Sequence, residues 1–120
     1  MRKTISIVIP VFNEEENLRE FYTRLTKVMS EVSYDYDIIF VDDGSRDASS
    51  AILYDLSQND EHVQAYLLSR NFGHQMALTC GLDHAEGDAV ITMDGDLQHP
   101  PELIPELLGL WEAGYEIVQT

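Results

Sequence analysis

Asp94-Gly95-Asp96, followed by Gln98 and His99, sets two carboxylates two positions apart around a glycine that lets the backbone turn. Such a pair can share a hard divalent cation such as Mg2+ or Mn2+, with the Gln98 amide adding a neutral oxygen. A solvated Asp-Gly turn has the same spelling, so position in the chain has to decide between the two. A second acidic group, Asp42-Asp43-Gly44-Ser45 with Asp47 beyond, also has two readings. A strand-to-helix turn with a helix cap explains Gly44 and Asp47. An acceptor-only carboxylate taking hydrogen bonds from a nucleobase N–H explains the two adjoining acids. Phe12 fits either a stacking face for that base or the core. His74 and His99 are single histidines with structural or solvated roles expected, and His62 and His84 fall at element edges.

The charge pattern sharpens the metal reading. Of 120 residues, 22 are Asp or Glu and 7 are Lys or Arg, for a formal net charge of −15. Nonspecific nucleic-acid binding is excluded as a main function, because such a chain repels phosphate backbones. All seven basic residues lie at or before Arg70, and from Asn71 onward nine acids stand with no Lys or Arg. A carboxylate and a phosphate charge ~5 Å apart repel by roughly 3 kcal/mol at an effective dielectric of ~20. A phosphorylated ligand held by this second part is therefore expected to bring a cation or to borrow an Arg from residues outside these 120. The one cysteine, Cys80, excludes an intrachain disulfide and a multi-cysteine zinc site. It fits a reducing compartment and a core position in a helix, where the thiol is inert.

The elements that must position these groups alternate. Residues 5–10, 37–41, 63–68, 89–93 and 116–118 are short runs rich in Ile, Val and Leu, which predict strands covered on both faces. The opening run follows Met1-Arg2-Lys3, but it is interrupted by Pro10 and ends in Asn13-Glu14-Glu15-Glu16, which reads as a buried strand and not a signal peptide. Leu18, Phe21, Tyr22, Leu25, Val28, Met29 and Val32 make one face of a helix, with Glu14, Glu15 and Glu16 expected in its first turn. A second helix is expected after Asp47 as N-cap, burying Ile52, Leu53 and Leu56. A third is expected over 73–85 with Met76, Ala77, Cys80 and Leu82 inward. A fourth follows Pro100-Pro101, burying Leu103, Ile104, Leu107, Leu108 and Trp111, and stops at Gly114. This order predicts a single α/β domain with a parallel, Rossmann-like sheet and helices on both faces. Ligands bind at the carboxyl ends of such strands, and each of the first four strands is followed there by a polar cluster: Asn13-Glu14, Asp42–Ser45, Ser69–His74 and Asp94–His99.

Competing devices are missing. The first strand leads into neither Gly-x-Gly-x-x-Gly nor a Walker-type Gly-Lys-Ser/Thr, which argues against a dinucleotide dehydrogenase and a P-loop NTPase. A receiver-like signalling module would need an Asp ending the third strand and a Lys after the fifth, whereas the third ends Leu68-Ser69 and no Lys follows Lys27.

Pro10-Val11-Phe12-Asn13-Glu14, Val41-Asp42-Asp43-Gly44-Ser45-x-Asp47 and Met93-Asp94-Gly95-Asp96-Leu97-Gln98-His99-Pro100-Pro101-Glu102 together resemble family 2 glycosyltransferases of the GT-A nucleotide-diphospho-sugar transferase fold. The stretch Leu68-Ser69-Arg70-Asn71-Phe72-Gly73-His74-Gln75 and the Leu-Gln-His-Pro-Pro run look like the polyprenyl-phosphate branch, which includes dolichyl-phosphate mannose synthases and undecaprenyl-phosphate glycosyltransferases. The resemblance covers the whole chain and implies that 1–120 form the nucleotide-sugar-binding part of the domain. It implies that Pro10, Phe12, Glu14, Asp42, Asp43 and Arg70 line or neighbour the nucleotide. Asp43 accepts from the base, of either a UDP- or a GDP-linked sugar. Asp94, Asp96 and Gln98, the first two forming the DXD motif, hold Mg2+ or Mn2+ on the diphosphate, with Asp96 counted as catalytic. The implied reaction is inverting: a polyprenyl phosphate, already anionic near neutral pH, attacks the anomeric carbon with little need of a general base. The implied location is cytoplasmic, at the membrane face.

In that branch, basic residues soon after the fifth strand contact the phosphates, and later segments anchor the enzyme to the membrane. The 120 residues stop before both, so the chain is expected to keep nucleotide and metal ligands but to transfer sugar poorly or not at all. The alternative acceptor is a polysaccharide or glycolipid hydroxyl, which would require a carboxylate base. A non-enzymatic nucleotide-binding module is the alternative of another class.

Overall fold

The computed structural model describes residues 3–94 and 100–112. Strands and helices alternate as β1 (Thr4–Val11), α1 (Leu18–Glu31), β2 (Asp35–Asp42), α2 (Ser49–Asn59), β3 (Val63–Leu67), α3 (His74–His84) and β4 (Ala89–Thr92). A 3-10 turn at Pro101–Leu103 then leads into α4 (Ile104–Glu112). The sheet order is β3-β2-β1-β4 and every pairing is parallel, with Ile7 opposite Ile38 on one side and Ile91 on the other.

β1 is buried from residue 5 through 11 because helices cover both of its faces. Ile5, Ile7, Ile9 and Val11 point into one cluster with Phe21, Leu25, Leu53, Ile104 and Leu108 of α1, α2 and α4. Val8, Ile39 and Val41 point to the other face and meet Ala77 of α3. The period-two alternation of a strand divides the apolar residues between the faces. Burying each such aliphatic side chain contributes ~1.5–3 kcal/mol.

Four local expectations need correction. Glu14, Glu15 and Glu16 precede α1 and do not form its first turn. Asn13 adopts φ +53°, and the turn closes through the Glu14 carbonyl, which accepts from the Asn17 and Leu18 amides at 3.0 Å each. In α3, Met76 and Leu82 face solvent (56% and 43% exposed), while Ala77 and Gly81 take the inward positions. The reason is proximity: a Cβ on Gly81 would lie 2.3 Å from Val8 Cγ1, so only small residues fit against the sheet. Leu103 is likewise exposed, in the turn that precedes α4. At the start of α2 the N-cap position falls to Ala48, although the Asp47 carboxylate still accepts from the Ser49 amide at 2.8 Å. The expected strand at 116–118 and the stop at Gly114 lie outside the described residues.

The connections create a switch point. From β1 the chain steps outward through β2 to β3, then crosses by α3 to the other side of β1 to form β4. A crevice opens beyond the carboxyl ends of the two strands where the direction reverses, here β1 and β4.

Candidate functional site

The loops after β1 and β2 are sewn together by backbone amides. The Asn13 amide donates to Ser45 Oγ (2.9 Å), and the Arg46 amide donates back to Asn13 Oδ1 (2.8 Å). The Glu14 amide donates to Ser49 Oγ at 2.9 Å. The Glu15 amide donates to Asp47 Oδ2, and the Ala48 amide returns a bond to Glu15 Oε2, both at 3.2 Å. Burial pushes the Asp47 carboxyl up, but hydrogen bonds from Ser49 and the Glu15 amide outweigh it and leave the group below its usual range. Glu14 is half-buried and its carboxylate accepts from Asn17 Nδ2 at 3.1 Å.

Asp42 and Asp43 are 2% and 4% exposed, positions where a carboxylate is costly without partners. Asp42 Oδ2 accepts from the Ser45 amide at 3.1 Å, while its buried Oδ1 has no hydrogen-bond partner among the described residues. Asp43 reaches across to the loop after β3. Its Oδ1 accepts from the Phe72 amide at 2.8 Å and its Oδ2 from the Gly73 amide at 3.1 Å. Between them lies Gly44, at φ +72°, where an added Cβ would stand 2.3 Å from the Arg70 carbonyl carbon and 2.4 Å from the Asn71 nitrogen. Both open readings of Asp42-Asp43 therefore leave a structural duty: Asp42 closes the turn after β2 through the Ser45 amide, and Asp43 joins that turn to the loop after β3.

At the switch point, Pro10, His74, Leu78, Thr92 and Asp94 line a cleft of about 230 Å3. Asp94 is half-exposed, and its Oδ1 lies 3.1 Å from His74 Nε2. Phe12 is 44% exposed, so it stands at the rim and outside the core. Arg70 is exposed, with its guanidinium carbon 4.7 Å from the centre of the Phe72 ring.

Of the residues singled out by sequence, Pro10 and Asp94 share this cleft. Asp42, Asp43 and Glu14 sit in the sewn loops, and Phe12 and Arg70 are exposed. Asp96, Gln98 and His99 lie outside the described residues. Among the described residues no group of three His, Cys, Asp or Glu is placed to hold a metal ion. Sequence reasoning placed Asn13 and Ser45 in the polar clusters but gave neither them nor Ser49 a role as loop ties, because their partners are more than thirty positions away. The available signal was an Asn before an acidic run, since Asn tolerates positive φ better than most residues. It also missed the tie between His74 and Asp94, which a lone histidine does not announce.

Comparison with known proteins identifies the family and the fold. The chain is 50% identical over 113 residues to the glycosyltransferase YkcC of Bacillus subtilis, covering 94% of this chain and 35% of that protein. It is 47% identical over 117 residues to the undecaprenyl-phosphate 4-deoxy-4-formamido-L-arabinose transferase of Pseudomonas fluorescens, covering 97% and 34%. It thus spans about a third of the length of the curated relatives it matches. The fold superimposes on glucosyl-3-phosphoglycerate synthase of Mycobacterium tuberculosis in complex with UDP, with a TM-score of 0.73, 24% identity and coverage of 93% and 41%. It also matches the mannosyltransferase PcManGT of Pyrobaculum calidifontis in complex with GDP-Man and Mn2+, with a TM-score of 0.67, 21% identity and coverage of 80% and 28%. The architecture is the GT-A fold. With the family model "Glycosyl transferase family 2" matching residues 6–120, the chain belongs to family 2 of the glycosyltransferases.

Proposed function

We propose that residues 1–120 form the nucleotide-sugar-binding part of an inverting, metal-dependent glycosyltransferase. Its donor is a UDP- or GDP-linked sugar and its acceptor a polyprenyl phosphate at the cytoplasmic face of the membrane. The observation that carries this reading is the cleft at the switch point, where a half-exposed Asp94 faces Pro10 across the ends of β4 and β1. The relatives named for undecaprenyl-phosphate transfer support the acceptor class, and the neighbours in complex with UDP and with GDP-Man and Mn2+ support the donor and metal classes. No helix among the described residues is long and apolar enough to cross a membrane.

The donor set fits a hard divalent cation. Asp94 offers carboxylate oxygen at an open cleft in an acid-rich, Lys- and Arg-free half of the chain. Asp94, Asp96 and Gln98 would hold Mg2+ or Mn2+, which when bound supplies Lewis-acid stabilisation of the departing diphosphate. The protein's own residues bind and orient the donor. Asp43 accepts from the base, Phe12 offers its exposed ring for stacking, and Pro10 and Glu14 shape the nucleotide wall, with Asp42 and Arg70 beside it. A phosphate oxygen of the acceptor attacks the anomeric carbon opposite the leaving group. One C–O bond forms as the sugar–diphosphate bond breaks, and an anionic nucleophile needs no proton removed.

Calorimetric titration of UDP and of GDP, with and without Mn2+, tests this. The roughly 3 kcal/mol repulsion between one carboxylate and one phosphate charge corresponds to about a hundredfold in affinity. One of the two nucleotides is therefore expected to bind at least about tenfold more tightly with Mn2+. Asp96→Asn is expected to remove that gain. Metal-independent binding of both nucleotides, or of neither, overturns the reading.

A further inference from the structure

We infer that His74 is a positioning residue for Asp94: it holds the carboxylate in the orientation needed for the cation, while binding neither the cation nor the sugar donor itself. The inference rests on the proposed role of Asp94 and adds a residue to it.

The geometry is specific. His74 opens α3 and its Nε2 lies 3.1 Å from Asp94 Oδ1. An ionised carboxylate only accepts, so the tautomer with the proton on Nε2 donates to it. The imidazole is itself delivered from a fixed base. The preceding Gly73 stands at φ +103°, its amide donates to Asp43 Oδ2 at 3.1 Å, and its carbonyl accepts the first helical bond from the Ala77 amide at 3.1 Å. The segment 72–74 thus runs from the carboxylate assigned to the base to the carboxylate assigned to the diphosphate. A hydrogen bond to a metal-ligating carboxylate fixes its plane before the ion arrives, and removing such a partner typically lowers metal affinity 10–100-fold. Burial separates this role from a structural one. The side chains of His74 and Asp94 are 59% and 42% exposed, so truncating the imidazole opens no cavity in the core.

The experiment compares wild type, His74→Leu and His74→Gln. Mn2+ is titrated into each protein with saturating UDP or GDP, free ion is read by electron paramagnetic resonance, and each protein is melted in metal-free buffer. His74→Leu is expected to bind Mn2+ about ten- to a hundredfold more weakly. His74→Gln, whose amide N–H reaches the same point, is expected to stay within about threefold of wild type. Both are expected to melt within about 2 °C of wild type, as exposed substitutions do. Unchanged Mn2+ affinity in His74→Leu overturns the inference, as does an equal loss in the Leu and Gln variants or a fall in melting temperature of several degrees. If wild type itself shows no nucleotide-dependent Mn2+ binding, it is the metal reading of Asp94 that fails, and this inference with it.

Discussion

Replacing Gly44 by alanine should break the joint between the loops after β2 and β3, and its cost can be built from two separate terms. The first is conformational: at φ +72° an L-residue with a Cβ is disfavoured by ~1–2 kcal/mol. The second is steric, because the new methyl would stand 2.3 Å from the Arg70 carbonyl carbon and 2.7 Å from its oxygen. These are backbone atoms that no rotamer change can move aside, and overpacking of this kind costs ~1–3 kcal/mol. Together they come to about 2–5 kcal/mol against a total stability of ~5–15 kcal/mol. For a domain of this size that lowers Tm by on the order of 10 °C. Urea denaturation and a thermal melt measure it, with Gly109→Ala as the control. Gly109 lies inside α4 with nothing within 4 Å of an added Cβ, so alanine there should stabilise by ~0.5–1 kcal/mol. The fold should survive Gly44→Ala, since the core lies elsewhere, but the Asp43 clasp on the Phe72 and Gly73 amides would be displaced and nucleotide affinity should fall with it. A Gly44→Ala protein within 0.5 kcal/mol of wild type, by roughly the error of a surface substitution, would refute the close approach on which the joined rim depends.

Two further outcomes follow from the packing. Tyr22 donates to Asp60 at 2.5 Å, and burial followed by that bond pushes its phenol up to about 12. A raised pKa means that the bond's stabilisation is complete below the ordinary tyrosine range near 10 and is lost as pH rises through about 12, so Tyr22→Phe should lose ~1 kcal/mol at neutral pH and flatten that alkaline decline in a pH series of urea melts. Gly81→Ala should destabilise through contact with Val8 Cγ1 despite its better helix propensity. Val8→Ala, harmful alone, should restore part of that loss in a double-mutant cycle, whereas strictly additive effects would place α3 farther from β1.

The sheet was legible because β1 and β2 carry apolar residues on both faces, and only a strand covered on both sides needs that. The strand ends were legible within one or two residues because a polar cluster follows each. The inner face of α3 was not, since hydrophobicity ranks Met76 and Leu82 above Ala77 and Gly81, whereas closeness to Val8 selects the small pair. The gathering of acids at the strand ends was legible, but their partners were not. Asp43 finds its amide donors at Phe72 and Gly73, and Asn13 finds Ser45, across loops whose separation in sequence carries no periodic signal. Asn13 at φ +53° is a conformational choice that only the tertiary bonds to Ser45 and Arg46 make worthwhile.

The same bonds separate the acids by duty. Asp42, Asp43 and Asp47 each accept from at least one backbone amide of another loop or the turn that follows, and two of the three are almost fully buried. Amide donors from neighbouring loops offset the desolvation of Asp43 and Asp47, although Asp42 Oδ1 has no partner among the described residues, and such bonds let a chain of net charge −15 place these acids at one rim and still fold. Asp94 stands half-exposed at the cleft, where its Oδ1 lies 3.1 Å from His74 Nε2. The amide-bonded acids thus tie the loops together, and under the proposed function Asp94 is the acid that would meet a cation carried in with a diphosphate. On this view the acid excess of the rim has two physical origins, amide-stabilised construction and cation recruitment, and composition alone does not distinguish them.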